Sequence, residues 1–329
     1  MDYSGSLSKT RSTSPPSPST KATPLSSAIS ISLGPTTITP SLSSSTAIPA
    51  PVLFRPTTTI MAYSVQKSSC HPITHAGIVV AFYTSNVDVF EKNHDELDFE
   101  FLGNIRGKPW RFQTNLYGNG STNRGREERY SLWFDPTKQF HRYTILWTSK
   151  SIIFYVDEVP IREVIRNSAM GGDYPSKPMS LYATIWDAST WATSGGKYKV
   201  NYDFQPFVAE FTDLVLEGCT VDPIQQIPAA AAPCDRKTAA LEAADYNTIS
   251  PEGRKAMSWF RERYMYYSYC YDLVRYPVPP PECVIVQAER HLFKDTGRLK
   301  EALRMKFGRH QKHRRRRGRR VPGGGATTL

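Results

Sequence analysis

The chain has 329 residues, 40% hydrophobic and 12% aromatic, enough for a sizeable core in one large all-β domain or two ordinary ones. Its net charge of +11 is local, because nine Lys/Arg and no acid fall between Lys306 and Arg320, so no folded face is strongly basic. No run of 18 apolar residues is present, which argues against a helical membrane span, and the start MDYSGSLSKT lacks the basic-then-apolar pattern of a secretory leader.

Residues 1–75 are dominated by Ser, Thr and Pro. Such a segment buries too little apolar surface to offset about 1–2 kcal/mol of chain entropy per residue, so a disordered leader is expected. From residue 76 the texture changes to short apolar or alternating runs, among them Gly77–Tyr83, Tyr143–Trp147, Ile152–Val156 and Met179–Trp186. Turn pairs separate them: Asn119-Gly120, Asp135-Pro136, Asp157-Glu158, Gly171-Gly172 and Gly195-Gly196. Many short strands with frequent breakers and no βα alternation predict an antiparallel sandwich over 76–218. Residues 251–275 are rich in helix formers and Tyr, and Ser250 with Pro251 supplies an N-cap and first-turn proline. One helix leading into a short extended segment is expected there, stopped by Pro277 and Pro279–Pro281. The predicted divisions are 1–75, 76–218, an extension over 219–295, and a mobile basic tail over 296–329.

Four of the five cysteines fall late, as Cys219, Cys234, Cys270 and Cys283. Short-range pairs Cys219–Cys234 and Cys270–Cys283 would each close a loop of about 13–16 residues, stabilising by about 3 kcal/mol. Metal ligation is the rival reading, but neither CxxC nor HxxxH spacing is present. Disulfides imply an oxidising compartment, in tension with the absent leader pattern.

The strongest signal is His94-Asp95-Glu96-Leu97-Asp98-Phe99-Glu100-Phe101-Leu102-Gly103. On a strand, Glu96, Asp98 and Glu100 share one face and Leu97, Phe99 and Phe101 the other. Three neighbouring carboxylates push one another's proton affinities apart. Sugar chemistry needs that split: one carboxylate ionised to attack the anomeric carbon, another protonated to release the leaving oxygen. The bland alternatives are an acidic solvent face or a calcium site.

HDELDFEFLGN resembles the active-site signature of xyloglucan endotransglucosylase/hydrolases, plant members of glycoside hydrolase family 16. The likeness continues through GKPWRFQTNLYGNGS, LWFDPTKQFHRYTILW, VDEVPIREV, YPSKPMSLYATIWDASTWATSGG and the late cysteines, over roughly residues 76–295. It implies a concanavalin A-like jelly-roll sandwich with a short helical, disulfide-linked extension. It also implies Glu96 as nucleophile, Glu100 as acid/base and Asp98 as their assistant, with no cofactor or metal. Gln113, Thr114, Asn115, Arg126, Glu127, Trp191, Gly195 and Arg275 match substrate-contact positions. Many members carry Asp where Gly125 stands and Asp where Thr190 stands.

The residues support part of this. Alternation places Gln113 and Asn115 on one face and Phe112 and Thr114 on the other. Trp186 and Trp191 bracket a turn, where an aromatic platform can meet a sugar ring; core filling is the alternative, stronger for Trp186. Arg275 has the rival reading of a surface ion pair. Asn119-Gly120-Ser121 is a glycosylation sequon.

The resemblance implies a xyloglucan donor, a xyloglucan polymer or oligosaccharide acceptor, and a cell-wall or apoplastic location. The first 75 residues do not resemble the family, so the sandwich is expected to lack N-terminal strands and expose sheet edges. A catalytically impaired glycan-binding sandwich is the alternative function. For the basic tail, pectin ranks ahead of nucleic acid as a partner.

Overall fold

The computed structural model describes residues 31–38, 44–47, 53–54, 59–64, 75–105, 107–204, 207–216, 220–221 and 248–300. Strands form where β-branched and aromatic residues run or alternate between turn residues. The first four are β1 (Ile31–Ile38), β2 (Ser44–Ala47), β3 (Leu53–Phe54) and β4 (Thr59–Ser64). The next four are β5 (Ile78–Ser85), β6 (Glu96–Phe101), β7 (Arg111–Tyr117) and β8 (Glu128–Ser131). Then come β9 (His141–Trp147), β10 (Ser151–Val156), β11 (Val159–Ile165) and β12 (Ser180–Asp187). Last are β13 (Phe207–Leu216), β14 (Thr220–Val221), β15 (Met265–Asp272) and β16 (Thr296–Arg298), with helix α1 (Pro251–Tyr264) before β15.

Two sheets result. A six-stranded one runs β1-β13-β4-β9-β10-β11, and an eight-stranded one runs β16-β15-β8-β7-β6-β5-β12-β2. The expected sandwich is therefore present, and the predicted turns lie between its strands. Asp157 and Glu158, with φ of 47° and 64°, close the β10–β11 hairpin, as a two-residue turn with both central residues left-handed requires. Asn119 and Gly120 follow β7 with φ of 49° and 74°.

The sheets meet through the hydrophobic halves of their strands. Leu97, Phe99 and Phe101 of β6 are 0%, 0% and 2% exposed. The Phe99 ring sits edge-on to Phe154 of β10 at 5.3 Å and to Tyr143 of β9 at 5.7 Å. Burying such side chains contributes about 1.5–3 kcal/mol each, so the anchoring of β6 fixes the direction of its other face.

The expected disordered leader and missing N-terminal strands need correction at four segments. β4 lies inside the six-stranded sheet between β13 and β9, β1 pairs with β13, β2 caps β12, and β3 pairs with β14. Average composition over 75 residues hid short runs such as Thr59-Ile-Met-Ala-Tyr-Ser64, whose β-branched and aromatic residues suit a strand once a partner edge exists.

The extension also differs in detail. Ser250 accepts a hydrogen bond from the Gly253 amide at 3.0 Å and Pro251 opens α1, as expected. The helix ends at Tyr264, and the aromatic run that follows becomes β15, which pairs with β8 and extends the sheet that carries β6. Phe260 of α1 is fully buried, 5.2 Å from the Tyr130 ring. Thr296–Arg298, expected in a mobile tail, pairs with β15 instead. Residues 301–329, including the basic run, lie outside the described residues. Cys270 and Cys283 form a disulfide; Cys219 and Cys234 lie outside the described residues. No helix among the described residues is long and apolar enough to cross a membrane.

Candidate active site

Register brings the polar faces of β5, β6 and β7 into three cross-strand rows. They are Ser85–Glu96–Tyr117, Tyr83–Asp98–Asn115 and Ala81–Glu100–Gln113. The three carboxylates thus share one face, as the alternation predicts. Glu96 and Glu100 retain partial solvent access, whereas Asp98 between them is buried.

Burial dominates the electrostatics of the trio. It raises the proton affinity of Asp98 well above the usual carboxylate range, and the charges of Glu96 and Glu100 add to the effect. Arg162 opposes it from the sandwich interior. Burial also raises Glu96 above the usual carboxylate range, and a hydrogen bond from Ser85, the proximity of His94 and a hydrogen bond from Asp98 each oppose that rise without reversing it. The His94 Nε2 lies 4.0 Å from Glu96. Burial pushes Glu100 up to about 7, against a hydrogen bond from Gln113 and with a further push from Glu96 and Glu127. Asp98, hydrogen-bonded to Glu96, thus holds its proton most tightly while Glu100 is drawn toward neutrality, a spread in proton affinity of the kind acid/base chemistry uses.

Asp95, one residue ahead of the trio, is wholly buried. Its carboxylate accepts hydrogen bonds from the amides of Asn119 (2.7 Å), Ser176 (2.7 Å) and Lys177 (2.8 Å), and pairs with the Lys177 ammonium at 2.6 Å. The entry to β6 is thereby tied to two neighbouring loops.

The other predicted contacts divide. Gln113 and Asn115 stand opposite Glu100 and Asp98 as expected, but their amides are already engaged. Gln113 Nε2 donates to Glu100 Oε2 while its Oε1 accepts from Arg129 Nε at 2.9 Å. Asn115 Oδ1 accepts from the Arg126 amide at 3.0 Å. Glu127 and Arg275 form an ion pair at 2.8 Å beside this face, and Arg275 also donates to the Tyr267 hydroxyl at 3.3 Å. Gly125 lets the two come together: a Cβ there would press on Arg275 Nη2 and Glu127 Oε1. The ion-pair reading of Arg275 holds.

Two expectations are corrected. Thr114 lies on the opposite face, fully buried, with its hydroxyl accepting from Arg162 at 3.0 Å; strand alternation overrides its place in the Gln-Thr-Asn triplet. Arg126 is 2% exposed, donating to the Asp173 carbonyl at 2.7 Å and to Ser121 at 3.1 Å. Neither side chain faces the carboxylates.

Trp191 is half-buried, 5.8 Å from the Trp186 ring, and both pack on Val79 and Leu102 beyond the Glu100 end of the trio. Gly195, with φ of 72°, is exposed in the same loop. Asn119 is exposed in the turn after β7. Sequence reasoning missed Tyr83, Ser85, Tyr117 and Arg129. Tyr83 stacks on Tyr182 at 5.2 Å. The signal was available only in the register of β5, β7 and β8 against β6. Among the described residues, no group of three or more His, Cys, Asp or Glu is placed to hold a metal ion.

Comparison with known proteins agrees with this geometry. Residues 54–203 match the glycosyl hydrolases family 16, and residues 237–283 match the xyloglucan endo-transglycosylase C-terminus. An Arabidopsis thaliana protein described as probable xyloglucan endotransglucosylase/hydrolase protein 30 is 69% identical over 245 residues, covering 74% of this chain and 69% of its own length. Protein 29 of the same series and organism is 66% identical over 235 residues, covering 68% of this chain and 65% of its own. Protein 27, also from Arabidopsis thaliana, is 58% identical over 250 residues, covering 74% and 72%. With two-thirds or more of the first of these relatives spanned at that identity, the chain belongs to the xyloglucan endotransglucosylase/hydrolase family.

Proposed function

We propose that this chain cuts the β-1,4-glucan backbone of xyloglucan with retention and rejoins the glycosyl part to a xyloglucan acceptor, or to water. The observation that carries the reading is the row of Glu96, Asp98 and Glu100 on one strand face, with Asp98 raised most strongly, Glu100 held at about 7, and the burial-driven rise of Glu96 opposed by hydrogen bonds from Ser85 and Asp98.

In the first step a Glu96 carboxylate oxygen attacks the anomeric carbon and the bond to the leaving O4 breaks. The Glu100 proton passes to that oxygen, giving a glycosyl-enzyme ester and a freed chain end. Asp98 holds Glu96 in line through its hydrogen bond. In the second step Glu100, now ionised, takes the proton of an acceptor hydroxyl as that oxygen attacks the same carbon and releases Glu96. Two inversions give net retention. Trp191 and the exposed backbone around Gly195 offer a sugar contact beyond Glu100, and Arg275 with Glu127 lie across β7 and β8 from the trio, next to Arg129 and Gln113. No step calls for a metal or cofactor.

A location in the cell wall fits the family, and the Cys270–Cys283 bridge fits an oxidising compartment. Pectin is our candidate for holding the basic run Lys306–Arg320 there, by charge attraction.

The test is incubation with xyloglucan and a labelled xyloglucan oligosaccharide. Label entering polymer is expected, and Glu96→Ala should lower turnover by at least about 10³-fold while binding persists. Binding without turnover in the unaltered chain would instead support a glycan-binding sandwich.

A further inference from the structure

We propose that Arg129 is a positioning residue for the acid/base: it locks the Gln113 amide toward Glu100, and the C-terminal extension holds Arg129 in turn. The proposal rests on the reading of Glu100 as the acid/base.

A glutamine amide has one accepting end and one donating end; an ionised carboxylate takes only the donating end, but a protonated carboxyl can meet either. Here Arg129 decides. Its Nε donates to Gln113 Oε1 at 2.9 Å, so Nε2 is the end left to donate to Glu100 Oε2. Gln113 is 4% exposed, which leaves it little room to turn over. The Arg129 guanidinium lies 5.0 Å over the Tyr267 ring of β15, with Tyr267 and Arg129 directly paired across the sheet. Glu127 lies 4.0 Å from Arg129 and is itself paired with Arg275. An unbroken series of contacts thus runs from Arg275 and Tyr267 of the extension, through Arg129 and Gln113, to Glu100.

The chemical consequence follows from what each group favours. An amide N–H donated to Glu100, and a guanidinium beyond it, both favour the ionised acid/base; Glu127 and Glu96 disfavour it. The remaining groups around Glu100 are Asp98 on its own strand, Tyr83 on β5, and Asn115 and Tyr117 on β7. Among these, Arg129 alone both carries a positive charge and fixes the bond that Glu100 receives. Arg275 works one step further out by neutralising Glu127.

The experiment uses the full chain with Arg129→Met, Arg129→Lys and Arg275→Met, following the pH dependence of transfer to a labelled oligosaccharide. It also titrates Glu100 directly by carbon NMR of labelled glutamate carboxyls, with Glu100→Gln assigning the signal. Arg129→Met should move the alkaline limb and the Glu100 titration upward together by about 0.5–1 pH unit. Arg129→Lys, which keeps the charge, should move them less, and Arg275→Met should give a smaller shift of the same sign. An unmoved titration with lowered kcat, or an effect confined to KM, overturns the proposal. Circular dichroism confirms that each variant is folded. Failure of the underlying reading looks different: Glu100→Ala would keep its transfer activity, and azide would not restore cleavage of a substrate with a good leaving group. If that control behaves as an acid/base loss and the Arg129 variants still titrate unchanged, only the Arg129 proposal falls.

Discussion

Glu100 and Glu128 sit on the same sheet two strands apart, both largely removed from water, and hold their protons in opposite ways. Burial drives Glu100 upward to about 7, where a neutral amide is its immediate partner and other carboxylates crowd it. Burial pushes Glu128 upward too, but Arg261 and Arg162 outweigh it and bring the group to about 2. Arg261 donates to its two oxygens at 2.7 and 3.0 Å, and Tyr130 and Ser268 donate as well. Burial alone therefore does not make a catalytic acid. The outward face of the sheet denies Glu100 a full countercharge, whereas the inward face supplies one to Glu128, using a helix of the extension to do so.

The largest expected effect is on the compensated site. Arg261→Met leaves Glu128 buried with an incomplete counterion and should destabilise the protein by about 3–5 kcal/mol in urea unfolding. A loss under 1 kcal/mol would mean that Arg162 suffices alone, and the contrast would weaken.

Next comes acid titration of the unaltered chain. The folded pKa of Glu128 lies below its unfolded value of 4.5, so its stabilisation is present above pH 4.5 and disappears as pH falls toward 2. The loss across that window should be about 3 kcal/mol, read from unfolding midpoints at successive pH values. Glu128→Gln should flatten that slope.

The smallest effect has the reverse sign. Glu100 binds its proton more tightly when folded, so its contribution is full below pH 4.5 and is lost as pH rises through about 7. Because the side chain keeps some solvent access, Glu100→Gln should gain only about 1–2 kcal/mol of stability at pH 8 and nothing at pH 4.5, while turnover collapses. Equal stability of the two proteins at pH 8 would show that Glu100 is not strained by its surroundings.

Sequence pattern revealed the parts of the molecule whose causes are local. The alternation in Glu96–Phe101 gave both the facing of the acids and their anchoring, and turn pairs such as Asp157-Glu158 marked real hairpins. What it concealed depends on partners distant in the chain. Arg126 looked available until Asp173 and Ser121 enclosed it. Arg129 meant nothing until β7 and β15 were laid beside it. For Thr114 the alternation already pointed away from the acids, and the family motif that named it proved the weaker guide. β4 was hidden because its strand-forming residues were averaged into a Ser/Thr/Pro-rich stretch.

The rows that cross β5, β6 and β7 have a consequence for changes in chain length. Side chains on adjacent strands stay in step only while an even count separates them, so one residue inserted inside β7 would exchange Gln113 and Asn115 for Thr114 and Leu116 opposite the acids. Such an insertion removes no functional group from the protein yet turns the amides inward and a leucine outward. Length variation is therefore compatible with this site only between strands, in connections such as 102–110, where backbone can be added without disturbing parity.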